Sequence, residues 1–382
     1  MSRFEPSNFS EEATGALWSI LRSSEYDCAV SLPGLGGTGW AAEPVRLARF
    51  LRGGVNCWRT SPFSAYYRAL LGWRKGPAPL VLFDLFFLHK PVLRRRLEGI
   101  ADADTIRGLE KASILVTAEE WVTATVRCYP LRETYFLFDP SRRDADFVYV
   151  GWDSHLMAEI AERTCVGRHF ERSLDLCTGS GVQGLMLAAQ SDEMICADIS
   201  QRAVAFVEAN ARLNKLTNVR AVQSDAFSAI SGRFDCVTAN TPYVPEPEGG
   251  HLPIRGGDLG MEFTIRLLEE LPDRLTDRGI GILYTSDPIV RGELQLMERV
   301  RERLGHLRLR VVQIPLFRNS YPITRPMQEH YDKLGLRGYD DCVLVVERAA
   351  GYEMQRRHWD WIHYHWTRID TWVDWRRRSR HA

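Results

Sequence analysis

What this sequence lacks narrows it quickly. Net charge is missing: 49 lysines and arginines balance 49 aspartates and glutamates. No global field therefore draws the chain to nucleic acid or to an anionic membrane. No CxxC pair occurs among its eight cysteines (Cys28, Cys57, Cys128, Cys165, Cys177, Cys196, Cys236, Cys342), so neither a zinc site nor a thioredoxin-type motif is indicated and no metal is expected. Cys177, Cys196 and Cys236 fall in apolar runs, as reduced thiols of a cytoplasmic protein would. No apolar run reaches about 18 residues and the N-terminal MSRFEPSNFSEEATG has no apolar core, which argues against a membrane helix and a signal peptide. Lysine is scarce, five against 44 arginines. Arg suits phosphate and planar recognition, but coding bias is the simpler reading. What remains is ordinary globular composition, 45% hydrophobic and 26% charged over 382 residues, long enough for two domains with separate cores.

The first 150 residues read as a mainly helical, winged-helix-like substrate or accessory domain. SEEATGALWSILRSS opens on Ser10 with Ala13, Leu17, Ile20 and Leu21 at helical spacing. PLVLFDLFFLHKPVLRRRL reads as a buried helix followed by an Arg-rich helical turn, while SILVTAEEWVTATVRCYPL and TYFLFD alternate as strands. From residue 151 to about 350 the pattern changes to strand, turn, helix, repeated: SLDLC, MICADI, VRAVQSD, FDCVTAN and GIGILYTSD are strands between amphipathic helices. LRLRVVQIPL and DCVLVVER read as a closing antiparallel pair. Such alternation means an α/β fold with a doubly wound, mostly parallel sheet. Residues 351–382 carry Trp359, Ile362, Trp366, Ile369 and Val373 on one helical stripe. This Trp- and Arg-rich helix is expected to dock on its own protein or, in a homodimer, on a twin subunit, in preference to stacking on bases.

GxGxxG occurs twice. The copy Gly34 to Gly39 follows Pro33 and lacks a second strand ending in an acidic residue, so it reads as a loop. The copy Gly179 to Gly184 lies directly between a strand and a helix, where small residues let the backbone approach a ligand and free N–H groups face it. Asp198, at the end of the next strand, is placed to accept from ribose hydroxyls. Asp175 precedes the glycines, where a carboxylate repels a pyrophosphate but suits a cofactor with an amino group and a sulfonium. With Asp225 ending the third strand, the three carboxylates favour S-adenosylmethionine over NAD.

LDLCTGSGVQG, CADIS and SDAF resemble three successive motifs of the class I S-adenosylmethionine-dependent methyltransferases. The resemblance implies a Rossmann-like seven-stranded sheet with a reversed last hairpin. It also implies that Asp175, Thr178, Gly179, Gly181, Asp198, Ile199, Asp225 and Ala226 line the cofactor pocket. Asn240-Thr241-Pro242-Tyr243 is similar to the Asn-Pro-Pro-Tyr signature of amino-methyltransferases, a group that includes release-factor glutamine and ribosomal-RNA enzymes. Thr241 departs from that signature. By the same resemblance Gly151 to Ser154 form a lid strand, and residues 248–263 a substrate-side loop with His251, Asp258 and Glu262 as ionisable groups.

The chemistry of such a site is simple to state. A planar nitrogen is a poor nucleophile because its lone pair is delocalised. Asn240 and a carbonyl of Thr241-Pro242 can accept its N–H bonds and turn the lone pair toward the methyl donor. Tyr243 stacks on the planar group and Pro242 stiffens the loop. The sequence thus predicts methylation of an amino or amide nitrogen on a small metabolite or a protein side chain. An RNA base is the alternative acceptor, and a non-catalytic cofactor-binding protein and an NAD-dependent oxidoreductase are the rivals from other classes.

Overall fold

The computed structural model describes residues 3–26, 77–140, 146–246, 255–319 and 325–357. The first glycine motif, Cys28, Cys57, His251 and the Trp stripe of the tail lie outside them. The chain divides into two compact units, one built on Glu12–Tyr135 and the other on Phe4–Glu11 with Phe136–Arg357. Residues 136–140 and 146–150, assigned above to the first domain, thus belong with the second unit.

In the first unit, α1 (Glu11–Ser23) buries Ala13, Leu17, Ile20 and Leu21, the residues that its spacing singled out. The apolar stretch forms α2 (Pro77–Leu82) and then a wider π-type stretch, Phe83–Phe87, closed by Leu88 N–H donating to Phe83 O at 2.9 Å. Strand β1 (Val92–Leu93) leads into α3 (Arg94–Glu98), the Arg-rich turn, and α4 (Ala103–Lys111), whose N-cap Asp102 accepts from Thr105 N–H at 2.8 Å. β2 (Leu115–Ala118) and β3 (Trp121–Ala124) follow as a hairpin, giving a small sheet of order β1-β3-β2. The described part of this unit thus combines short helices with a small antiparallel sheet. β4 (Arg127–Leu131) and β5 (Thr134–Phe138) account for the remaining alternating runs.

The second unit carries the α/β sheet. Its strands are β6 (Phe170–Leu176), β7 (Ser191–Asp198), β8 (Val219–Gln223), β9 (Phe234–Asn240), β10 (Leu275–Val290), β11 (Glu293–Leu294), β12 (Leu309–Asn319), β13 (Leu336–Arg348) and β14 (Glu353–Arg356). The order is β14-β12-β13-β10-β9-β6-β7-β8, with β11 beside β10. From β8 to β10 the strands are parallel, whereas β13 runs antiparallel to both β10 and β12. The reversed last hairpin is as expected, but the sheet has nine strands instead of seven. The additions are the short β11 and β14. β14 also corrects the expectation of a helix from residue 351. Glu353 and Gln355 are exposed while Tyr352 and Met354 pack on the core, a two-residue period that suits a strand.

Five helices of this unit matter here: α5 (Trp152–Thr164), α6 (Val182–Leu187), α7 (Gln201–Leu213), α8 (Glu262–Arg274) and α9 (Leu296–Leu304). Gly151 to Ser154 is the start of α5, not a lid strand. Gly151 N–H donates to Ser154 Oγ at 3.3 Å, and that cap commits the chain to a helix. One core cluster gathers Leu174, Ile195, Phe227, Val237, Leu268, Leu283 and their neighbours from the central strands, the loop after β8, α8 and α9. α7 is tied down by two polar residues. Arg202 donates to both Asp139 oxygens at 2.9 and 2.5 Å and to Phe4 O at 2.8 Å. Buried Asn210 donates to Leu137 O and Ser180 O and accepts from Leu137 N–H. Ser180 belongs to the second glycine motif, so a core helix holds that loop in place.

Candidate functional site

The C-terminal ends of β6, β7, β8 and β9 bring the predicted residues to one edge of the sheet, where ligands of doubly wound folds sit. After β6 the chain turns sharply. Cys177 holds φ +53°, a left-handed conformation uncommon for a residue with a side chain, and Gly179 and Gly181 follow at +54° and +88°. Gly181 is the N-cap of α6, and a Cβ there would stand 2.7 Å from Leu185 Cδ1. A Cβ on Gly179 would meet nothing within 4 Å. Gly181 is needed for packing, while Gly179 leaves open space that a ligand can enter.

Asp175 is fully buried. Its Oδ1 accepts from Thr238 Oγ1 at 2.7 Å, and its Oδ2 from Thr178 Oγ1 at 2.6 Å and Gly184 N–H at 3.1 Å. Burial pushes its carboxyl up to about 6, against the lowering effect of these donors. Both oxygens are therefore engaged within the chain. Asp175 laces the glycine loop, α6 and β9 together, and any contact of its own with a cofactor is secondary. Asp198 Oδ2 accepts from Gly179 N–H and Oδ1 from Ser200 N–H, both at 2.9 Å. Burial raises its carboxyl as well. Beside it Ile199 is 51% exposed, a large apolar side chain left facing solvent at the mouth of the site.

The third loop is paired with a residue that sequence reasoning missed, Arg266 of α8. Asp225 Oδ1 accepts from Arg266 Nη1 of α8 at 3.1 Å. The side chain of Arg266 also lies over the Phe263 ring. Ala226 sits at φ +47°, the second left-handed non-glycine residue on this edge, and Ser224 accepts from Ala229 N–H to close the turn. A second omission is Ser180, whose buried Oγ has no hydrogen-bond partner among the described residues.

On the other side of the edge, Asn240 ends β9. Its Nδ2 donates to Asp153 Oδ2 at 3.0 Å and to Ser154 Oγ at 3.4 Å. Its Oδ1 is buried and accepts no hydrogen bond among the described residues. A flipped amide would set oxygen against the Asp153 carboxylate, so Asp153 fixes which end of Asn240 is the free acceptor. Asp153 entered the sequence analysis only as part of Gly151 to Ser154, the segment that the resemblance gave as a lid strand. Its signal was its place in WDSH, two residues after Gly151.

Thr241 is buried, and its departure from proline has a local cause. Its N–H and its hydroxyl both donate to Tyr284 O, at 3.2 and 2.8 Å, and its Oγ1 meets Thr264 Oγ1 at 2.9 Å. A proline has neither donor. Pro242 leads to Tyr243, whose ring lies 5.2 Å from Tyr284 and 6.2 Å, edge-on, from Tyr339. Tyr243 O accepts from Ser286 Oγ at 2.9 Å. Of the loop residues, Glu262 accepts from Leu259 and Met261 N–H at its own helix start, and exposed Asp258 lies 3.6 Å from Arg255. Neither is a hydrogen-bond partner of Asn240, whose side chain bonds to Asp153 and Ser154. Among the described residues no group of three or more acidic, His or Cys side chains could hold a metal.

The residues present fit S-adenosylmethionine: open space at Gly179, an unpartnered Ser180 hydroxyl, carboxylates at Asp198 and Asp225, and an exposed Ile199 that can face an adenine. Residues 153–250 match the family model "Methyltransferase small domain". Curated relatives include the ribosomal protein uL3 glutamine methyltransferase of Xanthomonas campestris pv. campestris, 32% identical over 129 residues, 30% of this chain and 42% of that protein. The release factor glutamine methyltransferase of Thermodesulfovibrio yellowstonii is 30% identical over 143 residues, 34% of this chain and 51% of that one. Its counterpart in Escherichia coli is 30% identical over 141 residues, covering 33% and 48%. The chain spans about half or less of the length of these relatives.

Proposed function

We propose that this chain, whose residues 153–250 match a methyltransferase family model, is a class I S-adenosylmethionine-dependent enzyme that methylates the side-chain amide nitrogen of a glutamine in a protein. The observation that carries the reading is the buried, unpartnered Asn240 Oδ1, held in its accepting orientation by Asp153. S-adenosylmethionine, when bound, supplies an electrophilic methyl group on a sulfonium. Gly179, Ser180, Asp198, Ile199, Asp225 and Ala226 hold it, with Asp175, Thr178 and Gly181 shaping the loop.

The acceptor nitrogen is prepared by Asn240. An amide nitrogen shares its lone pair with its carbonyl, so a bond from its N–H to a strong acceptor favours the rotated, more nucleophilic form. That bond strengthens as positive charge develops on nitrogen. A buried acceptor costs free energy while empty and is satisfied only when the acceptor binds. Pro242 and Tyr243 form the wall beside it, and Tyr243 offers a face to a planar group. A protein acceptor fits the naming of the relatives, and the balanced net charge gives no support to an RNA acceptor.

The test is transfer of labelled methyl from S-adenosylmethionine into a protein and RNA extract, followed by separate protease and ribonuclease digestion. Label is expected in the protease-sensitive fraction, and acid hydrolysis should release it as methylamine. Label released as methanol by mild base would instead indicate a carboxyl ester, and label in the ribonuclease-sensitive fraction an RNA acceptor. Either result overturns the reading.

A further inference from the structure

We propose that Tyr284 is a specificity-determining residue, its phenol donating to the carbonyl oxygen of the acceptor carboxamide while Asn240 Oδ1 accepts from that carboxamide's N–H. This rests on the function proposed above and extends it to a residue that the motifs do not single out. Tyr284 lies on β10 in parallel register with Asn240 on β9, so the two side chains leave the same face of neighbouring strands. The phenol is fully buried, and its oxygen has no hydrogen-bond partner among the described residues. Two buried polar atoms in register, both unsatisfied, are unusual in a folded protein.

Their chemistry is complementary. Burial, with the nearby Asp341 and Asp153 charges, raises the Tyr284 phenol well above its ordinary value, so it stays protonated and donates at neutral pH. Asn240 Oδ1 can only accept. A primary carboxamide presents an acceptor and a donor side by side and satisfies both atoms at once. An amine has no carbonyl and leaves the phenol unpaired, which is how a site built to hydrogen-bond rejects a close analogue. Tyr243 packs 5.2 Å from the Tyr284 ring, so the phenol borders the same wall as the proposed planar stacking face. The Tyr284 backbone carbonyl is already taken by Thr241, which leaves the side chain as the group available to a ligand.

The variant Tyr284→Phe keeps the ring and removes only the hydroxyl. The probes are N-acetylglutamine N-methylamide as the carboxamide and its analogue with CH2 in place of the side-chain carbonyl as the amine. Wild type is expected to methylate the carboxamide with at least tenfold higher kcat/KM than the amine. Tyr284→Phe should lose tenfold or more on the carboxamide, leave the amine unchanged, bind S-adenosylhomocysteine within twofold of wild type and unfold at an equal or higher temperature. Equal kcat/KM for the carboxamide in the variant overturns the assignment of Tyr284 and leaves the role of Asn240 standing. So does an equal fall for both probes together with a lower unfolding temperature, which marks a packing role. Failure of wild type to methylate the carboxamide overturns the amide reading and this inference with it.

Discussion

At the scale of single residues, the site is organised by which polar atoms are satisfied and which are not. Asp175, Asp198 and Asp225 were legible because they end successive strands. Their spacing could not tell apart a carboxylate that faces a ligand from one that braces a loop. Asp175 is the brace: three donors of its own chain hold it, in a place no water reaches. This has a consequence for stability. Its folded carboxyl titrates at about 6, above the ordinary value of 3.8, so the folded protein binds the extra proton. That contribution is fully present below about pH 4 and is lost as pH rises through about 6. At pH 7.5 the buried charge costs about 3 kcal/mol. Asp175→Asn should therefore gain on wild type by up to that amount between pH 4.5 and 7.5, measured by urea unfolding at each pH. A difference between the two proteins that does not change with pH would contradict the burial of an ionised Asp175.

At the scale of elements, the strand-turn-helix succession was visible because buried parallel strands are continuous apolar runs and helices keep their own period. Two errors came from short or capped pieces. Residues 151–154 read as a strand until the Gly151 to Ser154 bond placed them at a helix start, and residues 353–356 read as helix until their alternate burial showed β14. Long-range partners such as Arg266 for Asp225 and Asp153 for Asn240 leave no mark in local spacing, so no sequence pattern could supply them. Thr241 lies between these cases. As a departure from a signature it looked like a weakness, yet it joins β9 to β10 through two bonds to one carbonyl. Thr241→Pro should cost about 1–3 kcal/mol of stability, the worth of two lost bonds with a buried carbonyl left short. Chemical denaturation measures it, and a variant as stable as wild type would show that those bonds carry nothing.

At the scale of the whole molecule, the nine-stranded sheet separates two tasks. The loops after β6, β7 and β8 carry the residues proposed for the cofactor, while the end of β9, the loop that follows it and β10 carry Asn240, Tyr243 and Tyr284, proposed for the acceptor. Binding of one ligand and chemistry on the other are therefore separable by substitution. Asn240 is tied to Asp153 of α5 and to no residue of the glycine loop, so removing its amide should leave the cofactor side intact. The most direct measurement pairs the S-adenosylhomocysteine dissociation constant with the methyl-transfer rate to the protein acceptor for Asn240→Ala beside wild type. The account predicts a dissociation constant within about twofold and a rate lowered by about a hundredfold or more, as for loss of one preorganised polar contact at a reacting centre. Intact cofactor binding with a transfer rate within about threefold of wild type would contradict it.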